Sequence, residues 1–150
     1  RRGVVVSILR APGIYAADRL PIERLRKGSP ALCDAEDVYT NHIHAEDLAL
    51  LACAALRYGR SNRTYNASDD SRIKMGEYFD LVADHFELPR VPRVSRRQAE
   101  DLLSPLQLSF MTESRRLLNR RAREELRARL RYPQVADGVA AAARERSDRC

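Results

Sequence analysis

Residues 3–15, GVVVSILRAPGIY, join a nearly continuous apolar run to a Pro-Gly turn. The run from Val4 to Leu9 is rich in β-branched residues, which is typical of a parallel strand buried on both faces. Such a strand needs neighbouring strands and a helix against each face. The rest of the sequence predicts enough helices but too few strands to complete a parallel sheet. We therefore expect the partner strands to lie upstream, in a longer protein.

Length and composition indicate a globular protein with a hydrophobic core. The 150 residues are 44% hydrophobic and include only seven prolines, which argues against disorder. The sequence has no stretch of about 18 uncharged apolar residues and no signal-peptide pattern, so we expect no membrane insertion or export. Cys33, Cys53 and Cys150 form neither an even disulfide framework nor a close metal-type pair, and Cys53 is expected in the core. These features predict a cytoplasmic protein.

Strand and helix patterns alternate along the first half of the sequence. A strand-like segment at 38–43 leads into a helix over AEDLALLACAALRY, which ends at Gly59. A second strand is predicted at 63–67, and a further helix at 74–86. This order of strand, helix and strand is typical of an α/β fold. The first of these helices has an apolar stripe formed by Leu48, Leu51, Ala52, Ala55 and Leu56.

The last third of the sequence is mostly helical in composition. Residues 105–126 are predicted to be helical, with opposite charges four residues apart in the pairs Arg120–Glu124 and Glu125–Arg129. The alanine run at 140–143 and its charged end are typical of a frayed terminus. This part of the chain therefore predicts a helical region followed by a flexible tail.

Five signatures occur in a characteristic order: ILRAPGIYA, NHIHAEDLA, RTYNASDD followed by KMGEYFDLVADHF, TESRRLLN, and LRYP with Gly138. Together they resemble the C-terminal half of an extended or atypical short-chain dehydrogenase/reductase of the NAD-dependent epimerase/dehydratase-like family. The resemblance covers roughly residues 3–138.

The resemblance implies an α/β fold, the C-terminal part of a Rossmann-type doubly wound parallel sheet with a small, mostly helical substrate-side region. Residues 1–87 would belong to the NAD(P)-binding domain with its substrate loops. Residues 88–138 would form a helical lid, and residues 139–150 a flexible tail.

The same resemblance implies chemistry that this chain does not carry alone. The family uses NAD or NADP for hydride transfer at a carbinol or carbonyl carbon of a sugar-nucleotide-like substrate. Its glycine-rich phosphate turn and its Tyr and Lys catalytic pair belong to the N-terminal half. The only lysines here are Lys27 and Lys74, and neither follows a tyrosine by four residues. We therefore expect no catalytic residue in this chain and no activity or tight cofactor binding by it alone.

Two groups of candidate site residues follow from the resemblance. Pro12, Gly13 and Ile14 would pass beside the nicotinamide, where a glycine permits close backbone approach; periodicity alone favours an ordinary turn at a strand end. Tyr39, Asn41 and His42 lie where family members bring their second half over the substrate.

Other polar residues favour structural roles. His42 and His44 would share one face of a strand, but no third metal ligand is suitably spaced. Asp47 lies in a first helical turn, where free amides and the helix dipole explain a carboxylate better than catalysis does.

An arginine-rich segment supports an alternative function, a non-enzymatic basic α/β module that binds nucleic acid or another acidic partner. Interspersed glutamates and the lack of a stacking platform favour a solvated helix face instead, so we expect a small-molecule substrate and no nucleic acid or membrane partner. The substrate, the choice between NAD and NADP and the oligomeric state stay open. The arginines are Arg115, Arg116, Arg120, Arg121, Arg123, Arg127, Arg129 and Arg131.

Overall fold

The computed structural model describes residues 3–148, which form the predicted mixed α/β fold. No helix in this range is long and apolar enough to cross a membrane. The strands of the described range are β1 (Ser7–Arg10), β2 (Gly13–Tyr15), β3 (Ala31–Leu32), β4 (Tyr39–Thr40), β5 (His42–His44), β6 (Arg63–Asn66), β7 (Ile73–Lys74) and β8 (Arg93–Val94). Its helices are α1 (Ile22–Arg26), α2 (Ala45–Tyr58), α3 (Met75–His85), α4 (Arg96–Leu102), α5 (Pro105–Phe110), α6 (Arg120–Glu125) and α7 (Val135–Ser147).

Parallel pairing dominates the strands. β1 pairs with β6, β2 with β5 and β3 with β8 in parallel, whereas β4 and β7 are antiparallel. In the first pair, Ser7 lies opposite Arg63 and Arg10 lies opposite Asn66. The two strands therefore end side by side, and the carboxyl ends of parallel strands are where α/β proteins place ligands.

The chain folds into two compact units whose segments alternate along the sequence. Within the described range, the first unit takes residues 3–16, 41–71 and 117–138, and the second takes the remaining segments. The first unit contains the β1–β6 and β2–β5 pairs, and the second contains β3–β8 and β4–β7. These units are defined by contacts between residues. The segments 1–87, 88–138 and 139–150 were defined by the roles expected of them, so the division into these three segments stays a prediction.

The first strand is shorter than its apolar run predicts. β1 begins at Ser7, and Val4 to Val6 precede it as exposed, non-strand backbone. Its partner β6 begins at Arg63, directly after a turn in which Asn62 has a φ of 57°. Residues before Ser7 therefore have no neighbouring strand in the described range to complete a ladder.

Helix α2 uses part of its predicted stripe to cover the core of the first unit. Leu51 is fully buried, and Leu48 and Ala55 pack against the same core. Leu56 is 92% exposed and Cys53 is also exposed, contrary to prediction, because each lies about 100° around the helix from a core-facing neighbour. The buried core comprises Ile43, Leu51, Tyr65, Ala67, Ala122 and Leu126.

The helical segment predicted at 105–126 is interrupted. The structure has only α5 and α6 there, separated by residues whose polar groups bind elsewhere, as when the Leu117 amide donates to Asn41 Oδ1 at 2.8 Å. The Arg120–Glu124 pair forms, with 3.8 Å between Nε and Oε1. The predicted Glu125–Arg129 helical pair does not, because α6 ends at Glu125 and its carboxylate binds Arg63 and the Tyr65 hydroxyl.

The alanine-rich end is more ordered than its composition predicts. α7 extends through Ser147, and both Val139 and Ala142 are buried. Near the start of α7, Gly138 faces the ring and hydroxyl of Tyr15 so closely that a Cβ would collide with both. Residues 135–147 are therefore helical, the flexibility of segment 139–150 stays a prediction, and Cys150 lies outside the described residues.

A buried carboxylate connects the start of α2 to the LRYP segment. His44 caps this helix, and its Nδ1 accepts a hydrogen bond from the Glu46 amide at 3.3 Å. Asp47, only 1% exposed, instead accepts hydrogen bonds from the backbone amides of Arg131 at 2.7 Å and Tyr132 at 2.9 Å. The predicted structural role of Asp47 therefore takes a different form, because its partners lie outside its own helix.

We expect Asp47→Ala to lower the free energy of unfolding by about 2–4 kcal/mol, because it leaves two amides without their acceptor. Urea denaturation measures this loss. Glu46→Ala is the matched control, since in residues 3–148 the Glu46 carboxylate forms only a surface ion pair with Arg131 at 2.9 Å, and the change should cost about 1 kcal/mol or less. Equal losses in the two variants would contradict the role assigned to Asp47.

Candidate functional site

The β2–β5 pair brings one predicted cofactor residue against two predicted substrate residues. Gly13 lies opposite His42, and the Gly13 amide donates to the Asn41 carbonyl at 3.1 Å. These residues are far apart in sequence, and parallel pairing alone places them together. The candidate site of the first unit therefore begins at this strand pair, beside the carboxyl end of β1.

The turn at Pro12–Ile14 presents bare backbone at the surface. Gly13 and Ile14 are exposed, and Pro12 is half-buried and carries no amide hydrogen. A Cβ on Gly13 would lie 3.2 Å from the Asn41 carbonyl oxygen and 3.5 Å from His42 Cδ2. A side chain at position 13 would thus crowd Asn41 and His42, so a glycine there lets the turn pack closely against β5.

Asn41 and His42 have structural contacts of their own. Besides accepting from Leu117, Asn41 supplies the carbonyl that Gly13 binds. The His42 ring is buried and packs edge-on against Tyr15, with 6.1 Å between ring centroids, and His44 packs on the same tyrosine at 5.1 Å. Their proposed substrate contacts stay predictions.

Residues 3–148 contain no group of three His, Cys, Asp or Glu side chains placed to hold a metal ion. His42 and His44 share one side of β5, as the strand period predicts, and both contact Tyr15 there. These two histidines therefore contribute to an aromatic cluster of the first unit.

Tyr39 belongs to the second compact unit, apart from the unit that contains Asn41 and His42. Its amide donates to Ser114 Oγ at 3.1 Å, and the Arg116 guanidinium lies over its ring at 4.9 Å. Its strand β4 pairs antiparallel with β7, so that Tyr39 lies opposite Lys74. The role of Tyr39 in substrate binding stays a prediction.

Two polar residues after β6 are buried, a feature that turn chemistry alone did not reveal. Ser68 is 2% exposed and Asp69 is 3% exposed. The Asp69 amide donates to the His42 carbonyl at 2.8 Å, and its Oδ1 accepts from the Ser71 amide at 2.9 Å. Within the described range, Ser68 Oγ and Asp69 Oδ2 have no hydrogen-bond partner. The signal in the sequence is a pair of polar residues directly after a buried strand.

Burial lowers the pKa of His42 and raises the pKa of Asp69. Desolvation lowers the pKa of His42 from 6.5 to about 4, which keeps its ring neutral at physiological pH. Desolvation also raises the pKa of Asp69 from 3.8 to about 6, and the nearby charges of Asp70 and Asp47 act in the same direction. Hydrogen bonds from Ser71 oppose this rise. Both shifts disfavour the charged form of the group.

A cavity of about 510 Å³ opens at the carboxyl ends of β1 and β6. Arg10 and Asn66 are the last residues of these strands, and Thr64 is two residues before Asn66, on the same face. The sequence predicts a solvated helix face for the arginines of this segment, and it has no signal for the approach of Arg120 and Arg121 to this strand edge. The cavity is lined by Arg10, Thr64, Asn66, Leu118, Arg120 and Arg121.

Several solved structures have a fold similar to that of this chain. A functionally unknown conserved protein from Silicibacter pomeroyi is similar, with 28% identity, a TM-score of 0.82 and coverage of 93% of this chain and 48% of that chain. Human epimerase family protein SDR39U1, solved with NADPH, has 13% identity, a TM-score of 0.76 and coverage of 94% and 49%. A dTDP-glucose 4,6-dehydratase from Streptomyces venezuelae, solved with NAD bound, has 21% identity, a TM-score of 0.67 and coverage of 97% and 45%.

These structures match the mixed α/β fold of the C-terminal half of Rossmann-like epimerases. The chain spans about half the length of each of these three structures. No protein-family model matches the sequence, and no curated protein matches it either.

We expect Asp69→Asn to gain stability relative to the unchanged chain as the pH rises. The folded pKa of Asp69 is about 6 against an ordinary 3.8, so the fold favours the protonated carboxyl and loses that stabilisation as the pH rises through this interval. The variant has no such loss, and its relative gain should approach about 3 kcal/mol between about pH 4 and pH 6.

Urea denaturation at a series of pH values measures this difference. Asp18→Asn is the control, because Asp18 is exposed, and it should follow the unchanged chain. The titration of His42 runs the other way, since its neutral form is favoured and its stabilisation is lost as the pH falls from 6.5 to about 4. A pH-independent difference for Asp69→Asn would contradict the assignment of Asp69.

Proposed function

We propose that this chain forms the C-terminal, substrate-side half of an NAD(P)-dependent epimerase/dehydratase-type oxidoreductase. The reaction is hydride transfer at a carbinol or carbonyl carbon of a sugar-nucleotide-like substrate, in the cytoplasm. The observation that carries the proposal is the match of nearly the whole chain to half of enzymes of this type, two of them solved with NADPH or NAD. The order of the five signature segments supports the same family.

The turn at Pro12–Ile14 is the cofactor contact that this proposal assigns to the chain. Its backbone is exposed at Gly13, which supports the assignment. The hydrogen bond from the Gly13 amide to Asn41 holds the turn against β5. Pro12, Gly13 and Ile14 would hold the nicotinamide end of NAD(P), which accepts or returns the hydride when bound.

The remaining chemistry is assigned to the other half of the proposed enzyme. No tyrosine of the sequence is followed by a lysine four residues later, and its six glycines include no glycine-rich phosphate turn. We therefore assign this chain cofactor and substrate contacts and no proton-transfer residue. Tyr39, Asn41 and His42 remain its proposed substrate contacts.

The open edge of β1 supports the proposal that this chain supplies one half of a larger parallel sheet. β1 has a single partner strand among the described residues, and a parallel strand in an α/β sheet ordinarily has neighbours on both sides. The apolar side chains of this segment are exposed: Val4 by 87%, Val5 by 66% and Ile8 by 49%. A strand of the other half, together with a helix over Ile8, would cover this surface.

The alternative, a basic module that binds nucleic acid, is the weaker proposal. Several arginines of the first unit are paired with carboxylates: Arg63 with Glu125, and Arg123 with Asp70 at 2.8 Å. Paired guanidinium groups contribute less positive charge to a phosphate-binding surface. Affinity for RNA or DNA that falls steeply with salt would support this alternative.

We expect the chain on its own to self-associate through the β1 surface, because an exposed apolar edge strand pairs readily with other chains. Val5→Lys combined with Ile8→Lys should increase the monomer fraction, measured by size-exclusion chromatography with light scattering over a range of concentrations. Leu56→Lys is the matched control, since Leu56 is 92% exposed on α2 and away from the strand edge. A monomeric unchanged chain, or an equal effect of Leu56→Lys, would contradict the assignment of this surface.

The proposal is tested by comparing NADH and NADPH binding to this chain and to the product of its gene read upstream in the same frame. We expect feeble binding by the chain and saturable binding by a longer product with a glycine-rich turn and a Tyr-Lys pair. In that product, Gly13→Val should weaken binding at least about tenfold, because its side chain would crowd the Asn41 carbonyl and displace the turn, whereas Gly3→Val should not. Tight binding by this chain alone, or an upstream stop codon, would overturn the proposal.

A further inference from the structure

The segment 127–131 lies along one side of helix α2. At one end, Arg131 Nη1 donates to Glu46 Oε2 in the first turn of α2, at 2.9 Å. At the other end, the Arg127 guanidinium lies 5.4 Å from the ring centre of Tyr58, the last residue of α2. The segment and the helix therefore run side by side in opposite directions, within the first unit.

The side chains of this segment alternate between the core and the surface. Ala128 and Leu130 pack against the core of the first unit. Arg127, Arg129 and Arg131 are exposed. Alternation of this kind is typical of extended backbone, in which every second side chain points to the same side and lies about 6–7 Å from the next. The segment therefore presents a row of three arginines to the outside.

Helix α2 adds an exposed face beside this row. Leu50, Cys53 and Arg57 share one face of the helix, at positions i, i+3 and i+7. Glu46 belongs to the same face, four positions before Leu50, and its ion pair joins this face to the row. Leu50 is 42% exposed, and Cys53 and Arg57 are exposed as well. We call this helix face and the row of three arginines the basic surface of α2.

Carboxylates compensate little of the positive charge on the basic surface. Within residues 3–148, Arg57, Arg127 and Arg129 have no ion pair with a carboxylate. Arg57 and Arg127 instead lie over the Tyr58 ring, at 5.2 and 5.4 Å, and a cation over an aromatic ring keeps its charge. The fourth arginine forms the ion pair with α2 described above, between side chains that are 69% and 57% exposed, so water screens it.

The basic surface faces away from the edge of β1 that the other half of the proposed enzyme would cover. Gly59, directly after α2, abuts this strand, because a Cβ on it would collide with the hydroxyl of Ser7. Gly59 follows Leu50 by nine positions, which places it about 180° around the helix axis. Covering the edge of β1 would therefore leave the basic surface accessible.

We propose that the basic surface of α2 binds the anionic headgroups of a lipid bilayer. Clusters of about four to eight basic residues on a helix surface are typical of sites for acidic phospholipids, and the cytoplasmic leaflet carries such lipids. Leu50 and the Tyr58 ring, which is 37% exposed, add the apolar and aromatic groups that favour a membrane interface. Charge complementarity and these two side chains together select this partner.

A lipid surface fits these residues better than a nucleic acid does. The Tyr58 ring already contacts two guanidinium groups, so it is not a free platform on which a base could stack. The expectation of no membrane partner came from a sequence without a long apolar span, and binding at the bilayer surface requires no such span. The inference does not depend on the reaction proposed above.

Flotation of the chain with lipid vesicles tests this proposal, because flotation separates bound protein from aggregates. The probes are vesicles of phosphatidylcholine with about 30% phosphatidylserine and vesicles of phosphatidylcholine alone, at about 0.1 M salt. We expect the chain to float with the anionic vesicles only. The bound fraction should fall as the salt concentration rises, because salt screens the attraction between the arginines and the headgroups.

Variants locate the binding on the chain. Arg129→Gln should lower the partition coefficient about fivefold, and Arg129→Gln combined with Arg57→Gln about twenty-five-fold. Arg97→Gln is the matched control, because it removes the same charge from an exposed position in the second unit, and it should change binding less than about twofold. All of these side chains are exposed, and circular dichroism confirms that the variants fold.

Four outcomes would overturn the proposal. The first is no flotation with the anionic vesicles, and the second is equal binding to the neutral vesicles. The third is equal weakening by Arg129→Gln and Arg97→Gln, which would mean general ionic attraction. The fourth is binding of single-stranded RNA or of polyglutamate without binding of the vesicles, which would assign the surface to another class of partner.

Discussion

The buried carboxylate of Asp47 is the constraint on which the first unit depends. It accepts hydrogen bonds from the backbone amides of Arg131 and Tyr132, and so joins the start of α2 to a segment more than eighty positions away in sequence. The same helix follows β5 without a break, and β5 places His42 opposite Gly13, with Asn41 directly before the strand. A buried acceptor must keep its donors, because an amide left unpaired in the interior costs free energy. The position of the candidate site therefore depends on a contact outside it.

Two titratable side chains, those of His42 and Asp69, are buried near the β2–β5 pair. The neutral ring of His42 and the carboxyl of Asp69 are both buried, and the Asp69 amide binds the His42 carbonyl. Their titrations act oppositely on stability between about pH 4 and pH 6, so each offsets part of the other. Buried titratable groups of this kind concentrate at functional sites, although structural networks also contain them. Of the two, His42 lies opposite Gly13 in the β2–β5 pair.

The predictions from the sequence were most accurate where local periodicity and burial act together. α2, α3 and β6 lie close to their predicted positions because each combines an apolar pattern with clear end signals. The prediction of one long helix at 105–126 was wrong. Helical composition carries no information on long-range hydrogen bonds, such as the one from the Leu117 amide to Asn41, that hold residues 111–119 outside a helix. Of the candidate site, the Pro-Gly turn has a sequence signal, whereas the approach of Gly13 to β5 and the cavity beside Arg10 have none that local patterns supply.

The sequence by itself determined the α/β class, the parallel character of its strands and the order of its signature segments, because side-chain period and turn residues act over a few neighbouring positions. It also determined the absence of a Tyr-Lys pair from this chain. Only the tertiary structure decided that Asp47 binds the LRYP backbone, that Leu56 and Cys53 face solvent, and that Arg10, Arg120 and Arg121 meet at one strand edge. Those outcomes depend on contacts between segments far apart along the chain, and their geometry is set by packing rather than by local preference.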